Sequence, residues 1–326
     1  MVQLKEIPVL VHRRTNPDTL ARLVELFDAR LFDGTVESIP QADRAAVRGM
    51  AIMGKVDAAL MDALPQLEII SHFGVGYDGV DVAHAVSRGL MVTNTPDVLN
   101  DEVADTAVGL LLNTVREFPT AERHLREGRW TSGAYPLTPM TLRGRSIGIM
   151  GLGRIGLAVA KRLEAFGLPI AYHNRKPRTD VAYRYLPTLK DLAEAVDTLV
   201  IVAPGGAETD RAVNADILQA LGPNGVLINV GRGTIVDEEA LVEALESGTI
   251  RAAGLDVFAR EPHVPERLLA LPNAVLLPHV ASASRATRQA MGQLVIDNLA
   301  EWFAKGEAIT PVPEVSAAGL VDRKRD

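Results

Sequence analysis

Short apolar runs alternate with longer stretches of helical period along most of the chain. Ile7–Val11 is one such run. Asn16-Pro17 follows it, a side-chain acceptor placed before a proline at the first helical position, and Leu20, Leu23, Val24 and Phe27 then repeat at helical spacing. Val47–Met53, Leu67–Ser71 and Leu90–Thr93 are the next strand candidates. Apolar runs joined by helical crossovers predict parallel strands, because a parallel pair needs a long return connection.

A long helix is predicted over Asn100–Phe118. Asn100 is its cap, Asp101 and Glu102 sit in the first turn where the helix dipole favours anions, and Val103, Ala107, Val108, Leu111 and Val115 share one face. A loop holding Gly128, Gly133, Pro136 and Pro139 comes next. A second strand–helix series then starts at Arg145, with strands predicted at Ser146–Met150, Ile170–His173, Thr198–Val202, Gly225–Val230, Ala252–Leu255 and Ala274–Leu277. Ser284 reads as the cap of a last helix carrying Met291, Leu294, Val295, Asn298, Leu299, Trp302 and Phe303, with Gly306 as its stop. The order predicts an α/β protein of two Rossmann-like domains with parallel sheets and a cleft between them. The boundaries are 1–99 plus 286–326 for one domain and 100–285 for the other, the last helix crossing back to the first. Residues 315–326 carry no strong pattern and are expected to fray.

Composition narrows the function classes. The 326 residues are 47% hydrophobic and 23% charged, enough for two cores. A net charge of −7 provides no basic footprint for nucleic acid or an anionic membrane. The absence of cysteine excludes disulfides, thiolate metal ligands and cysteine nucleophiles. The first residues lack the basic and uninterrupted apolar regions of a signal peptide, and no apolar run approaches the roughly 20 residues of a membrane helix. A cytoplasmic protein with no membrane or nucleic-acid partner is expected. No His/Asp/Glu spacing resembles a metal site, and none is expected.

The strand Ser146–Met150 runs directly into Gly151-Leu152-Gly153-Arg154-Ile155-Gly156 and then into a helical stretch. In that setting the glycine pattern reads as a dinucleotide-phosphate loop. Gly151 makes the tight turn, Gly153 admits a pyrophosphate to the backbone, and Gly156 allows close helix–strand packing. N–H groups at the helix start then bind the phosphates. About 20 residues on, an NAD enzyme places an acid against the ribose hydroxyls. Here the segment is Tyr172-His-Asn-Arg-Lys-Pro-Arg178, with Asn174, Arg175, Lys176 and Arg178 and no acid. Guanidinium groups welcome a 2′-phosphate, so NADP(H) is the expected cofactor, with NAD(H) possible if Asp180 reaches back to the ribose.

Three further strand ends carry unusual residues. Asn229-Val-Gly-Arg-Gly233 sets Arg232 between glycines, Leu255-Asp-Val-Phe-Ala-Arg-Glu-Pro262 holds Asp256 and Glu261, and Leu277-Pro-His-Val-Ala-Ser282 holds His279. Carboxyl ends of parallel strands are where open α/β sheets bind ligands. With the loop Phe73-Gly-Val-Gly-Tyr-Asp-Gly-Val-Asp81, these ordered motifs resemble the D-isomer-specific 2-hydroxyacid dehydrogenase family over essentially the whole chain, and within it the glyoxylate/hydroxypyruvate reductases.

The resemblance implies NADPH-dependent reduction of small 2-oxo acids to 2-hydroxy acids by a homodimer. It implies that Arg232 binds the substrate carboxylate, that His279 is the general acid, and that Glu261 orients and favours the protonated imidazole. The backbone of Val75 and Gly76 completes the carboxylate site, Leu99 bears on pocket size, and Asp256 orients the nicotinamide with help from the Val230 carbonyl. Gly231, Ala203, Pro204, Thr209 and Ser282 complete the expected cofactor contacts. Among the other histidines, His12, His84, His124 and His263 read as surface or turn residues, and His72 is left open as a cleft-lining residue. Two departures stand out: a His-x-Pro-x-Thr segment common in the family is here Val202-Ala-Pro-Gly-Gly206, and the cations after the second strand replace an acid. The competing readings are a reductase of a bulkier acid, hydroxyphenylpyruvate or 2-ketogluconate, and an NAD(H)-sensing corepressor-like binding protein. A formate dehydrogenase is disfavoured by Glu261.

Overall fold

The computed structural model describes residues 3–320. It contains two sheets, both entirely parallel. The first is built from β1 (Pro8–His12), β2 (Asp28–Phe32), β3 (Gly49–Ile52), β4 (Ile69–His72) and β5 (Met91–Thr93), in the order β2-β1-β3-β4-β5. The second is built from β6 (Ile147–Met150), β7 (Ile170–His173), β8 (Arg184–Tyr185), β9 (Thr198–Ile201), β10 (Val226–Asn229), β11 (Ala252–Leu255) and β12 (Ala274–Leu276). Its order, β12-β11-β10-β9-β6-β7-β8, reverses direction between β6 and β9. The carboxyl ends of those two strands are the topological switch point, where doubly wound sheets bind nucleotides.

The α/β class and the parallel sheets agree with the sequence. Each predicted strand is present, with its ends within two residues of those expected. The interior strands β3, β4, β6, β9, β10 and β11 are buried at every position, as parallel strands covered on both faces must be. Two strands were not anticipated. β2 is a half-exposed edge strand in which Arg30 pairs with Asp28 and Asp43, and β8 is a two-residue edge. Charged edge strands lack the apolar run that announces a central one.

The chain divides into two compact units, Met1–Leu99 with Ser284–Asp326, and Asn100–Ala283. In the first, the helix Arg285–Lys305 lies against β4, where Ser71 Oγ donates to the Val295 carbonyl at 3.1 Å. Ser284 caps this helix by accepting from Thr287 N, and Gly306 ends it with φ +83°. The short helix Pro313–Ala317 corrects the expectation of fraying over 315–326: Val315 is fully buried in the same core, and residues 321–326 lie outside those described.

In the second unit the helix Asn100–Arg116 packs on β11 and on the helix Arg154–Glu164, where Arg162 bonds Asp101 and Asp105. Asn100 is already helical rather than a cap. The helix stops at Arg116 because Glu117 turns left-handed (φ +53°), and a separate helix, Phe118–Arg126, fills what was read as loop. Arg145 stitches the amino ends of β6, β9 and β10 together from a buried position, its guanidinium bonding Thr198 Oγ1 and the carbonyls of Asp197 and Asn224.

Candidate active site

β6 ends at Met150 and the helix starts at Arg154, so the phosphate loop is a very short connection. Gly151 has φ +98°, and a Cβ there would stand 2.6 Å from the Ala203 backbone; a Cβ on Gly156 would stand 2.3 Å from the Gly151 carbonyl oxygen. Both glycines are thus required by the protein itself. Gly153 is different, since a Cβ there would meet nothing within 4 Å. Gly153 is also the N-cap and offers no capping side chain. Open space above an uncapped helix start is what a pyrophosphate needs, and these residues fit a dinucleotide.

The second-strand cluster is less uniform than its charge suggests. Asn174 faces the loop, accepting from Leu152 N at 2.7 Å through Oδ1. Arg178 Nη1 donates to the Leu152 carbonyl at 3.0 Å, and its remaining donors bond Asp180. Asp180 is therefore engaged by Arg178. Arg175 reaches instead to Glu208, with Nη1 to Oε2 at 2.9 Å, and Lys176 is exposed. Glu208 belongs to the loop after β9. There Ala203 is buried, Pro204 is exposed, and Thr209 Oγ1 donates to the Pro204 and Gly206 carbonyls.

Arg232 stands at the end of β10, and both flanking glycines are forced by close approach. A Cβ on Gly231 would lie 2.8 Å from the Ala203 carbonyl oxygen, and one on Gly233 would lie 1.8 Å from the Phe258 carbonyl carbon. Asn229 pins the turn, accepting from Gly231 N and donating to the Arg232 carbonyl. Arg232 Nη1 donates to the Gly231 carbonyl at 2.8 Å, and Val230 is buried beneath.

His279 and Glu261 are in direct contact, with Nδ1 to Oε2 at 2.7 Å. Glu261 Oε1 accepts from Phe258 N at 3.0 Å. Burial pushes the Glu261 carboxyl up, but the hydrogen bonds from His279 and Phe258 and the charges of His279 and Arg232 outweigh it. The group is held below its ordinary value of 4.5. His279 itself has φ +53°, a left-handed conformation that costs a non-glycine residue about 1 kcal/mol.

Asp256 holds it there. Its carbonyl accepts from His279 N at 2.8 Å, and its two carboxylate oxygens accept from Val280 N and Ala281 N at 2.8 and 2.9 Å. Asp256 is wholly buried, and burial raises its carboxyl despite these bonds. The sequence reading gave Asp256 to the nicotinamide and did not foresee this clamp on the histidine backbone. Ser282 follows, half-buried.

In the other unit, the loop after β4 carries Val75 and Gly76. Thr95 brackets it at Gly74, accepting from its N–H at 3.0 Å and donating to its carbonyl at 2.9 Å, and Asn94 donates to the Val75 carbonyl at 2.8 Å. Tyr77 donates to Glu314, and burial with that neighbour pushes its phenol up to about 12. Leu99 is buried at the end of the unit. His12, read as a surface residue, is buried at the end of β1, with Nε2 3.1 Å from the Asp33 carbonyl. His72 is buried at the end of β4.

Residues 108–281 match the family "D-isomer specific 2-hydroxyacid dehydrogenase, NAD binding domain", more than half of the chain. The chain belongs to that family. A glyoxylate/hydroxypyruvate reductase A of Arabidopsis thaliana is 49% identical to this dehydrogenase over 267 residues, 82% of this chain and 85% of its own. A 2-ketogluconate reductase of Gluconobacter oxydans is 42% identical over 269 residues, 82% of this chain and 86% of its own. Among solved structures, an NADPH-dependent glyoxylate/hydroxypyruvate reductase of Sinorhizobium meliloti, in complex with NADP and malonate, superimposes with a TM-score of 0.94. It is 58% identical and the match covers 98% of this chain and 99% of that one. This dehydrogenase is therefore a two-sheet α/β member of the family. Among the described residues no helix is long and apolar enough to cross a membrane, and no group of His, Asp and Glu is placed to hold a metal.

Proposed function

We propose that this dehydrogenase reduces small 2-oxo acids, glyoxylate and hydroxypyruvate, to 2-hydroxy acids, with NADPH preferred and NADH accepted less well. The observation that carries the reading is the His279–Glu261 pair, held beside Arg232 at the carboxyl ends of neighbouring strands. The names of the relatives support the substrate class. The cations after β7 support the phosphorylated cofactor.

The bound nicotinamide supplies the hydride that reaches C2 of the oxo acid. Arg232 holds the substrate carboxylate through its guanidinium fork. Glu261 occupies Nδ1 of His279, so Nε2 is the ring nitrogen that faces substrate. Protonated His279 gives the Nε2 proton to the carbonyl oxygen as C2 is reduced, and the neutral imidazole keeps its Nδ1–H on Glu261. Asp256 acts one step back, fixing the backbone from which His279 projects. Phosphate contacts fall to the loop Gly151–Gly156, and the domain 100–285 is the dinucleotide-binding one, with 1–99 plus 286–326 as the substrate-binding one. The test is steady-state reduction of glyoxylate with NADPH by wild type and His279→Gln. Turnover that survives the substitution removes His279 as the acid.

We also assign this protein a homodimer. The helix Phe118–Arg126 buries none of its residues, and the following turn leaves Trp130 66% and Leu137 99% exposed. An ordered segment that presents Phe118, Leu125, Trp130 and Leu137 to solvent has the character of an interface. Light scattering is expected to find a dimer that Trp130→Glu with Leu137→Glu dissociates; a monomeric wild type overturns the assignment.

A further inference from the structure

The turn that follows β7 carries three cations, and the structure employs them unequally. Arg178 is committed to the Leu152 carbonyl and to Asp180, so it braces the phosphate loop. Lys176 is exposed. Arg175, the first cation past the strand, extends to a carboxylate from a different strand end, Glu208. Glu208 is presented by a built turn: Thr209 N donates to the Gly206 carbonyl at 3.0 Å while its hydroxyl donates to Pro204 and Gly206.

We propose that Glu208 is a specificity-determining residue that competes with the 2′-phosphate of NADP(H) for Arg175. The cofactor preference then belongs to the Arg175–Glu208 pair rather than to Arg175 alone. The inference rests on the NADP(H) reading above and adds a counterweight to it.

The chemistry follows from the two cofactors' charges. NADH brings no anion to this position, so Arg175 stays paired and Glu208 is without effect. A 2′-phosphate brings about 1.5–2 negative charges, takes the guanidinium by charge-assisted bonds, and leaves Glu208 displaced beside it. The pair is weak enough to yield, since its side chains are 84% and 73% exposed. Repulsion between a dianion and a carboxylate about 6 Å apart in water weakens binding by about tenfold at most, and salt screens it. Removing the carboxylate is therefore expected to tighten NADPH by roughly 3–10-fold at low salt.

Calorimetric titration of the protein with NADPH, NADH, 2′,5′-ADP and 5′-AMP tests this, in wild type, Glu208→Gln, Arg175→Ala and the double variant, at low and high salt. Glu208→Gln is expected to tighten NADPH and 2′,5′-ADP by roughly 3–10-fold while NADH and 5′-AMP stay within about twofold, the gain shrinking in salt. In the Arg175→Ala background the gain is expected to shrink by the share that comes from freeing the guanidinium, leaving the direct repulsion alone. A Glu208→Gln protein that binds 2′,5′-ADP like wild type overturns the proposal, as does an equal tightening of 5′-AMP or a gain undiminished without Arg175. If wild type binds 2′,5′-ADP no better than 5′-AMP, the NADP(H) reading itself has failed. If wild type discriminates and only the Glu208 effect is missing, this inference has failed alone.

Discussion

Asp256→Asn probes the clamp that holds His279. In wild type two carboxylate oxygens receive the N–H groups of Val280 and Ala281, at a position with no solvent exposure. An asparagine offers one oxygen, and its amide nitrogen turns a donor toward the other N–H. One charge-assisted bond is lost, worth roughly 1.5–3 kcal/mol, and a buried donor is left unmet at about 1–3 kcal/mol. The loss is partly offset, because burial already raises the Asp256 carboxyl and a neutral amide escapes that penalty. A net destabilisation of about 2–3 kcal/mol results, which lowers Tm by roughly 4–12 °C at about 2–4 °C per kcal/mol. The strained φ of His279 is then free to relax. A displacement of the acid by about 1 Å costs on the order of a hundredfold in rate, so kcat is expected to fall about 10–100-fold. The affinity for NADPH is expected to stay within about threefold. Differential scanning fluorimetry, kcat and a fluorescence Kd for NADPH read all three quantities. A variant with wild-type Tm and kcat refutes the clamp, and one that loses NADPH affinity while keeping kcat makes Asp256 a cofactor ligand instead.

Arg232→Ala is expected to lower kcat/KM by roughly 10–100-fold with Tm preserved, since it deletes a charge-assisted carboxylate contact; near-wild-type turnover removes it from the site. For Glu261→Gln the sign follows from the depressed carboxyl. The stabilisation that Glu261 gains from His279, Phe258 and Arg232 is complete above its ordinary 4.5 and is lost as pH falls through the lowered value. The Tm difference between wild type and Glu261→Gln is therefore expected to be constant near neutrality and to close in acid, and a difference that persists in acid breaks the pairing. Arg175→Ala is expected to weaken NADPH about tenfold and spare NADH, whereas Arg178→Ala, which loses the Leu152 contact, is expected to weaken both; Kd values for each cofactor decide.

Most of the scaffold was legible because parallel strands buried on both faces are near-continuous apolar runs, and helix signals at Asn16-Pro17 and Ser284–Gly306 carry their own chemistry. What escaped had no such local mark. β2, sequence Asp28-Ala-Arg-Leu-Phe32, is polar because it is an edge, and β8 is too short to show a period. The helix after Glu117 starts with Pro119 in its first turn and buries nothing, so its apolar residues trace no core-facing stripe. At the site, the residue types and their strand-end positions could be read, but not their partners. Arg145 reaching Asn224, Asp256 reaching Ala281 and Arg175 reaching Glu208 join segments that only the fold brings together. The three cations after β7 look alike in sequence, and the structure makes them a loop brace, an exposed lysine and a guanidinium paired with Glu208.

One experiment tests most directly whether this dehydrogenase is an NADPH-preferring reductase of small 2-oxo acids. It is a kcat/KM panel of glyoxylate, hydroxypyruvate, hydroxyphenylpyruvate and 2-ketogluconate against NADPH and NADH. The predicted result is that glyoxylate and hydroxypyruvate lead the panel, with NADPH favoured by at least about tenfold, the least that one charge-assisted phosphate contact supplies. Equal use of NADH, a lead by either bulky acid, or no turnover of any 2-oxo acid contradicts it.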